Sequence, residues 1–263
     1  MANTAPEGTS GNHLLKALTR RACRRVLAQA EAVEMQFGEV LCEPDFPYQH
    51  VYFPLSGFVS LVTTVDGHQP FEVGLIGNEG MLGATVALDI QASPLRGVVQ
   101  GAGRAMRMPV MQFRQALSEN ATLSTAVKRY LYVLMAQLTQ TAACTCFHEI
   151  GQRLARWLLM THDRAQADSF HLTHQLLADM LGVRRSAVTI AAGTLQAAQL
   201  ISYTRGEITV VNRKGLEDAA CECYQAVIDD YARLFPPLHC LVYSPASDLS
   251  AEDEPTARQR DQA

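Results

Sequence analysis

No apolar run in this chain approaches the length of a bilayer-spanning helix, which excludes a membrane span of that kind. The opening Met1-Ala2-Asn3-Thr4-Ala5-Pro6-Glu7-Gly8 lacks the basic-then-apolar order of a secretory signal, so a cytoplasmic location is expected. There the 7 cysteines are expected as thiols, not disulfides. A large excess of one charge is also missing. The 22 basic residues stand against 26 acids, a net charge of -4, which excludes binding to nucleic acid by bulk charge alone. With 18% charged and 48% hydrophobic residues the chain is not a disordered one, and its 263 residues suffice for two domains. No internal repeat is visible.

Catalytic and metal motifs are incomplete. His148-Glu149 resembles the start of a zinc-protease helix, but Gln152 stands where the second histidine is needed. Gly101-Ala102-Gly103 has Met106 in place of a third glycine, so it does not make a dinucleotide loop. Cys144-Thr145-Cys146 and Cys221-Glu222-Cys223 look like pairs, yet residues two apart on a helix point to nearly opposite sides. Buried thiols are the expectation there, with redox sensing the lesser alternative. His171 and His174 are expected as solvated histidines, with a phosphate neighbour as the alternative role for His174. No nucleophile–base–acid set stands out, and neither a metal, a cofactor nor an enzymatic role is expected.

The informative stretch runs from Leu172 to Leu200. Leu177, Ala178 and Leu181 recur at helical spacing, Gly182 can take the positive φ that ends a helix, and Val183 and Val188 restart an apolar face. Two short helices around a tight turn result. Arg184, Arg185, Ser186 and Thr189 are left on the outer face at the start of the second. Cations and hydroxyls there suit phosphates and base edges in a major groove. An ordinary helical hairpin with solvated arginines fits as well. The residues after Leu200 favour the first reading. Ile201–Thr204 and Glu207–Val211 are β-rich runs around an Arg205-Gly206 turn, and helix–turn–helix followed by a hairpin is a winged helix. Between Glu149 and Glu217 eight basic residues face six acids, a local balance of +2 that suits a sequence reader.

The remaining organisation divides the chain at 12, 110, 147 and 235. Residues 1–12 are expected to be disordered, and 13–110 to form a β-domain opened by one arginine-rich amphipathic helix from Leu14 to Leu27. Runs at 52–64, 71–76, 97–100 and 104–108, separated by glycine turns, give short strands suited to a sandwich or barrel. One long helix is expected over 111–147. Val127, Leu131, Leu134 and Leu138 alternate by four and three, a seam for a partner helix or for the helix's own domain. Residues 148–235 hold a helix with Trp157 ending near Met160, a polar connection over 162–169, the winged helix, and a last helix from Gly215 to about Phe235. Residues 236–263 form an acidic tail, expected to be disordered.

A β-roll, a long helix and a winged helix in this order resemble the Crp/Fnr family of bacterial transcription regulators. The likeness runs from about Leu14 to Val211 and is clearest at 51–61 and 172–200. It implies an α+β chain with an N-terminal jelly-roll (double-stranded β-helix) sensor domain, a long dimerisation helix and a C-terminal reading head. The implied partners are double-stranded DNA, a second copy of the chain and an unknown small-molecule effector, with no membrane. Arg185 falls at the family's guanine-reading arginine, Thr173 and Gln175 at its phosphate-contacting helix start, and Arg205 at its wing tip. Ser186 replaces a common glutamate and Ile190 a second base-reading arginine, so the operator is expected to differ from the best-known one.

Cyclic-nucleotide-binding members carry Gly-Glu and Arg-Ser/Thr pairs. Here Gly83-Ala84 and Arg96-Gly97 stand there, so no cyclic nucleotide is expected. Glu79 and Arg96, with Gly83, are left as a relocated polar pair for an effector. Iron–sulfur members need four cysteines, and the N-terminal region offers only Cys23 and Cys42. The rival from another class is a ligand-binding or thiol-switch protein whose winged helix docks a protein.

Overall fold

The computed structural model describes residues 11–235. The expectations for residues 1–10 and for the 236–263 tail lie outside the described residues. Asn12, assigned from sequence to the disordered N-terminus, is fully buried. Its amide donates to Pro54 O (2.9 Å) and Gly80 O (2.8 Å), while its Oδ1 accepts from Leu15 N (3.1 Å). It thereby caps α1 (His13–Lys16). The expected single helix is two, because Thr19 starts a second one, α2 (Arg20–Leu27), by accepting from Ala22 N. Leu14, Leu15, Leu18, Ala22 and Val26 enter the core, with Cys23 and Leu27 partly buried against it.

Seven strands come next: β1 (Glu31–Met35), β2 (Val40–Cys42), β3 (His50–Pro54), β4 (Phe58–Thr63), β5 (Phe71–Ile76), β6 (Arg96–Gly101) and β7 (Gly103–Pro109). They make two antiparallel sheets, ordered β1-β7-β3 and β2-β6-β4-β5. Val51, Phe53, Val59, Leu61, Ile76, Val99 and Met108 are buried in the core they share. Gly57 reverses the chain between β3 and β4 at φ +71°, where a Cβ would sit 2.4 Å from Gly101 O. No other residue fits that turn without moving backbone.

The expected continuous helix from 111 is interrupted. After α3 (Val110–Glu119), Asn120 adopts an extended conformation and its side chain accepts from Leu123 N (3.1 Å), starting α4 (Ala121–Phe147). The 27 residues of α4 span about 40 Å. α5 (Ile150–Ala165) runs past Met160 into the expected polar connection, and it buries His162 and Arg164 there.

The remaining elements are β8 (Ser169–His171), α6 (His174–Leu181), α7 (Arg185–Ala197), β9 (Ile201–Thr204), β10 (Glu207–Val210), α8 (Arg213–Ala219) and α9 (Cys223–Leu234). β8 adds an unforeseen third strand to the hairpin, in the order β8-β10-β9. The expected last helix is likewise two, α8 and α9, broken at Ala220 where the backbone becomes extended.

α5 joins the two halves. Its Leu154 and Leu158 share an apolar cluster with Phe58 and Leu75 of the β-domain and with Leu177 and Val188. Trp157 Nε1 donates to Glu72 Oε1 (2.7 Å), and Arg164 pairs with Glu79 at 2.9 Å. From α4, the Gln137 amide completes an edge by accepting from Leu75 N (2.7 Å) and donating to Leu75 O (3.1 Å). No described helix is long and apolar enough to cross a membrane.

Candidate nucleic-acid interface

Thr173 opens α6: its Oγ1 accepts from Leu176 N (3.1 Å). Leu177, Ala178 and Leu181 turn inward, and Gly182 closes the helix in the left-handed region at φ +63°. A Cβ at 182 would also press on the Phe71 ring at 2.9 Å, so both the backbone conformation and the close packing favour glycine. Arg184 then precedes α7 in extended conformation, and Val188, Ala191, Ala192 and Leu195 bury the inner face of that helix. The helical period therefore leaves Arg184, Arg185, Ser186 and Thr189 exposed. Among the described residues, no hydrogen bond or ion pair engages the guanidinium of Arg184, Arg185 or Arg205.

Besides Thr173, two of the expected contact residues are partly engaged within the protein. Gln175 Nε2 donates to Asp179 Oδ1 (2.8 Å). The Thr189 hydroxyl donates to Arg185 O (3.1 Å) and accepts from His174 Nδ1 (3.0 Å). His174 is no solvated residue: it stacks on Tyr203 with centroids 4.3 Å apart. Burial first, and the Arg185 cation second, lower its pKa below the usual histidine value. The neutral ring thus clamps α6, α7 and β9 together. No local spacing could have disclosed this, because the three partners lie on three elements. Arg205 is exposed at the hairpin tip, at φ +52° with Gly206 at φ +84°, the paired positive φ of a tight hairpin turn. A cleft of about 840 Å³ separates the α6–α7 turn from the β4–β5 hairpin, with Arg184 and Arg185 on one side and Val65, His68 and Phe71 on the other.

The expected effector pair is not formed. Glu79 is buried against Arg164, and its carboxylate also accepts from Gly77 N. Arg96 lies on the surface and pairs with Glu43 at 3.1 Å. The buried carboxylate is satisfied across the junction with α5, which leaves Arg96 to water. Gly83 takes φ +88° against Val51, and Ala84, buried behind it, begins a short 3₁₀ turn (Ala84–Leu88).

Of the expected α4 seam, Val127 is not available to a partner. Val127 is 0% exposed, spent inside the β-domain core, and Leu131 and Leu134 pack partly against that core. Along the four-three spacing Leu131, Met135, Leu138 and Ala142, Met135 and Ala142 are exposed and the two leucines are half-buried, with Leu131 against the core and Leu138 beside Gly74 of β5. Met135 is 57% exposed and neighbouring Tyr132 47%.

One group of described side chains has the composition and proximity to hold a metal ion: Cys144, His148, Cys221 and Cys223. The spacing argument against convergence holds for Cys144 and Cys146, the second of which is exposed. It fails for Cys221 and Cys223 because Cys221 precedes α9 and is not helical. Hydrogen bonds from Cys221 and His148, aided by the Arg156 charge, draw the Cys144 thiol down to about 5.

Residues 152–219 match the Crp-like helix-turn-helix domain family. The global nitrogen regulator of Synechocystis sp. is 27% identical over 179 residues, 64% of this chain and 79% of that protein. The crystal structure of a Crp/Fnr-family transcriptional regulator from Eubacterium rectale covers 81% of this chain and 97% of its own, with a TM-score of 0.61 and 14% identity. The c-di-GMP-responsive global regulator of Xanthomonas campestris covers 73% and 99%, with a TM-score of 0.59 and 19% identity. At such identities the solved structures speak for the fold, while the domain match speaks for the reading head. With two antiparallel sheets, a long helix and a winged reading head, the chain has the fold of Crp/Fnr regulators and carries a Crp-like helix-turn-helix domain, the equipment of a DNA-binding transcription regulator.

Proposed function

We propose that the chain works as a homodimer on a two-fold symmetric duplex site. In this reading Arg185 addresses a base edge, Ser186 and Thr189 lie beside it in the groove, and Thr173, Gln175, Arg184 and Arg205 face phosphates. The observation that carries the reading is the unengaged state of three exposed guanidinium groups, two at the start of α7 and one at the hairpin tip. A structural arginine would normally be paired, whereas a groove-facing one keeps its donors for the ligand. The free amides at the start of α7 add a second attraction for phosphate. The dimer contact runs along Leu131, Met135, Leu138 and Ala142.

The β-domain takes no cyclic nucleotide, since Ala84 offers no carboxylate and Arg96 is committed to Glu43 on the surface. Any effector is therefore of another class. The protein is placed in the cytoplasm, where its operator is.

Selection of bound sequences from random duplex DNA tests the reading. Two inverted half-sites about 10 base pairs apart, centre to centre, are expected. Enrichment of no sequence, with affinity no better than for bulk duplex, would overturn it.

A further inference from the structure

We propose that Cys144, His148, Cys221 and Cys223 form a Cys₃His site for one tetrahedral Zn²⁺ ion at the junction of α4, α5 and α9. The four ligand atoms all lie within 4.8 Å of one another. Cys144 and Cys221 sulfurs are 3.5 Å apart, and Cys223 Sγ is 3.4 Å from His148 Nδ1. Zinc–sulfur bonds of about 2.3 Å in a tetrahedron set donor–donor edges of about 3.8 Å, so small movements bring all four onto one ion. Donors this close enclose a single ion and leave no room for a multi-iron cluster. Three thiolates and an imidazole are soft to borderline donors, which select zinc over magnesium or calcium.

The surroundings match such a site in three independent respects. His148 turns Nδ1 toward the sulfurs while its Nε2 meets Glu222 Oε1 at 3.2 Å. That is the carboxylate–histidine–metal relay that orients a ligating ring. Gln140 Nε2 donates to Cys223 Sγ (2.9 Å), a bond that a thiolate accepts well. The three cysteines also form a cluster of their own, at 1%, 4% and 1% exposure, separate from both apolar cores. A disulfide between Cys144 and Cys221 would account for two of these groups and leave Cys223, His148 and their partners without a role.

The position gives the ion a consequence. Cys144 lies near the end of α4, His148 in the two-residue link to α5, and Cys221 and Cys223 at the start of α9. An ion held there ties the long helix and the reading head together at the one place where the backbone between them is not helical. Ligation releases the thiol protons to solvent, so binding weakens as pH falls.

The test uses the full-length chain, purified under reducing conditions, stripped with a chelator, and titrated with Zn²⁺ and with Co²⁺. About one equivalent of zinc should bind and raise the melting temperature. The cobalt adduct should show the intense visible absorption of a tetrahedral site and a thiolate charge-transfer band. Cys144→Ser and Cys223→Ser should lose the cobalt spectrum, Glu222→Gln should weaken zinc binding about 10–100-fold, and Cys146→Ser should bind as the parent does. A folded parent chain that binds no zinc overturns the proposal. So does an octahedral cobalt spectrum, a Cys144–Cys221 disulfide in the reduced preparation, or a Cys146→Ser loss equal to that of Cys144→Ser.

Discussion

Arg185 is the residue to which the proposed function assigns base reading. A guanidinium fork on a guanine is worth about 1–3 kcal/mol of discrimination. Arg185→Ala should therefore relax preference at one base pair per half-site, measured by competition against single-substituted operators; unchanged preference would place base reading elsewhere. A different kind of residue holds the two halves together. Glu79 and Arg164 are 4% and 5% exposed and paired at 2.9 Å. Glu79→Ala strands a buried cation and should cost about 3–5 kcal/mol of stability in denaturant unfolding. Adding Arg164→Leu to that variant should restore much of the loss, which a purely local packing defect would not allow.

Glu72 is the titratable counterpart. It accepts from Ser60 Oγ (2.5 Å) and Trp157 Nε1 (2.7 Å), with Arg164 and Arg156 as the nearby charges on α5. Burial outweighs these and raises its pKa to about 7. A raised folded-state pKa means that the folded protein holds the proton longer than the unfolded chain. The contribution to stability is thus complete below the unfolded value and is lost as pH rises through the folded one. Between about pH 4.5 and 7 the parent should lose up to about 3 kcal/mol relative to Glu72→Gln. Melting curves of the two across that range should diverge, and parallel curves would show that Glu72 stays ionised when folded.

At the level of the element, α4 has two different faces. Leu123, Val127, Tyr130 and Val133 face the β-domain, and the stripe through Met135 faces outward. The heptad spacing was legible in the sequence, but its rotation about the helix axis was not. Val127 and Leu131 are equally apolar, and only the neighbouring sheets decide which of them is covered. Met135→Glu should dissociate the proposed dimer, because burying an unpaired carboxylate costs several kcal/mol. Light scattering should report a monomer that remains folded and no longer binds the operator specifically; an intact dimer would move the contact off this face. Val127→Glu should instead unfold the β-domain, which separates the two faces experimentally.

Over the whole molecule, charge is unevenly used. The chain is net acidic, yet unpaired cations gather at the start of α7 and at the hairpin tip. Phosphate contacts release counterions, so affinity should fall with salt, and Arg205→Ala should lower the slope of log affinity against log salt by roughly one unit. That loss should be alike on every sequence, in contrast to Arg185→Ala. A sequence-dependent loss at Arg205 would mean that the hairpin enters a groove.

The reading head was nearly complete in the sequence because its signals are local. Helical spacing from Leu177 to Leu195, the glycine at 182 and the Arg205-Gly206 turn are all decided by near neighbours along the chain. The same holds for the glycine-bounded strands β3 to β7, whereas β1 and β2 left no distinct run in the sequence. Contacts between elements were decided only in three dimensions. Glu79 finds Arg164 across 85 residues, and Cys144 finds Cys221 across 77. Periodicity carries no information at such separations. The helix breaks at Asn120 and Ala220 are intermediate cases. A capping side chain marks the first in the sequence, whereas nothing short of the packed fold distinguishes the second from an uninterrupted helix.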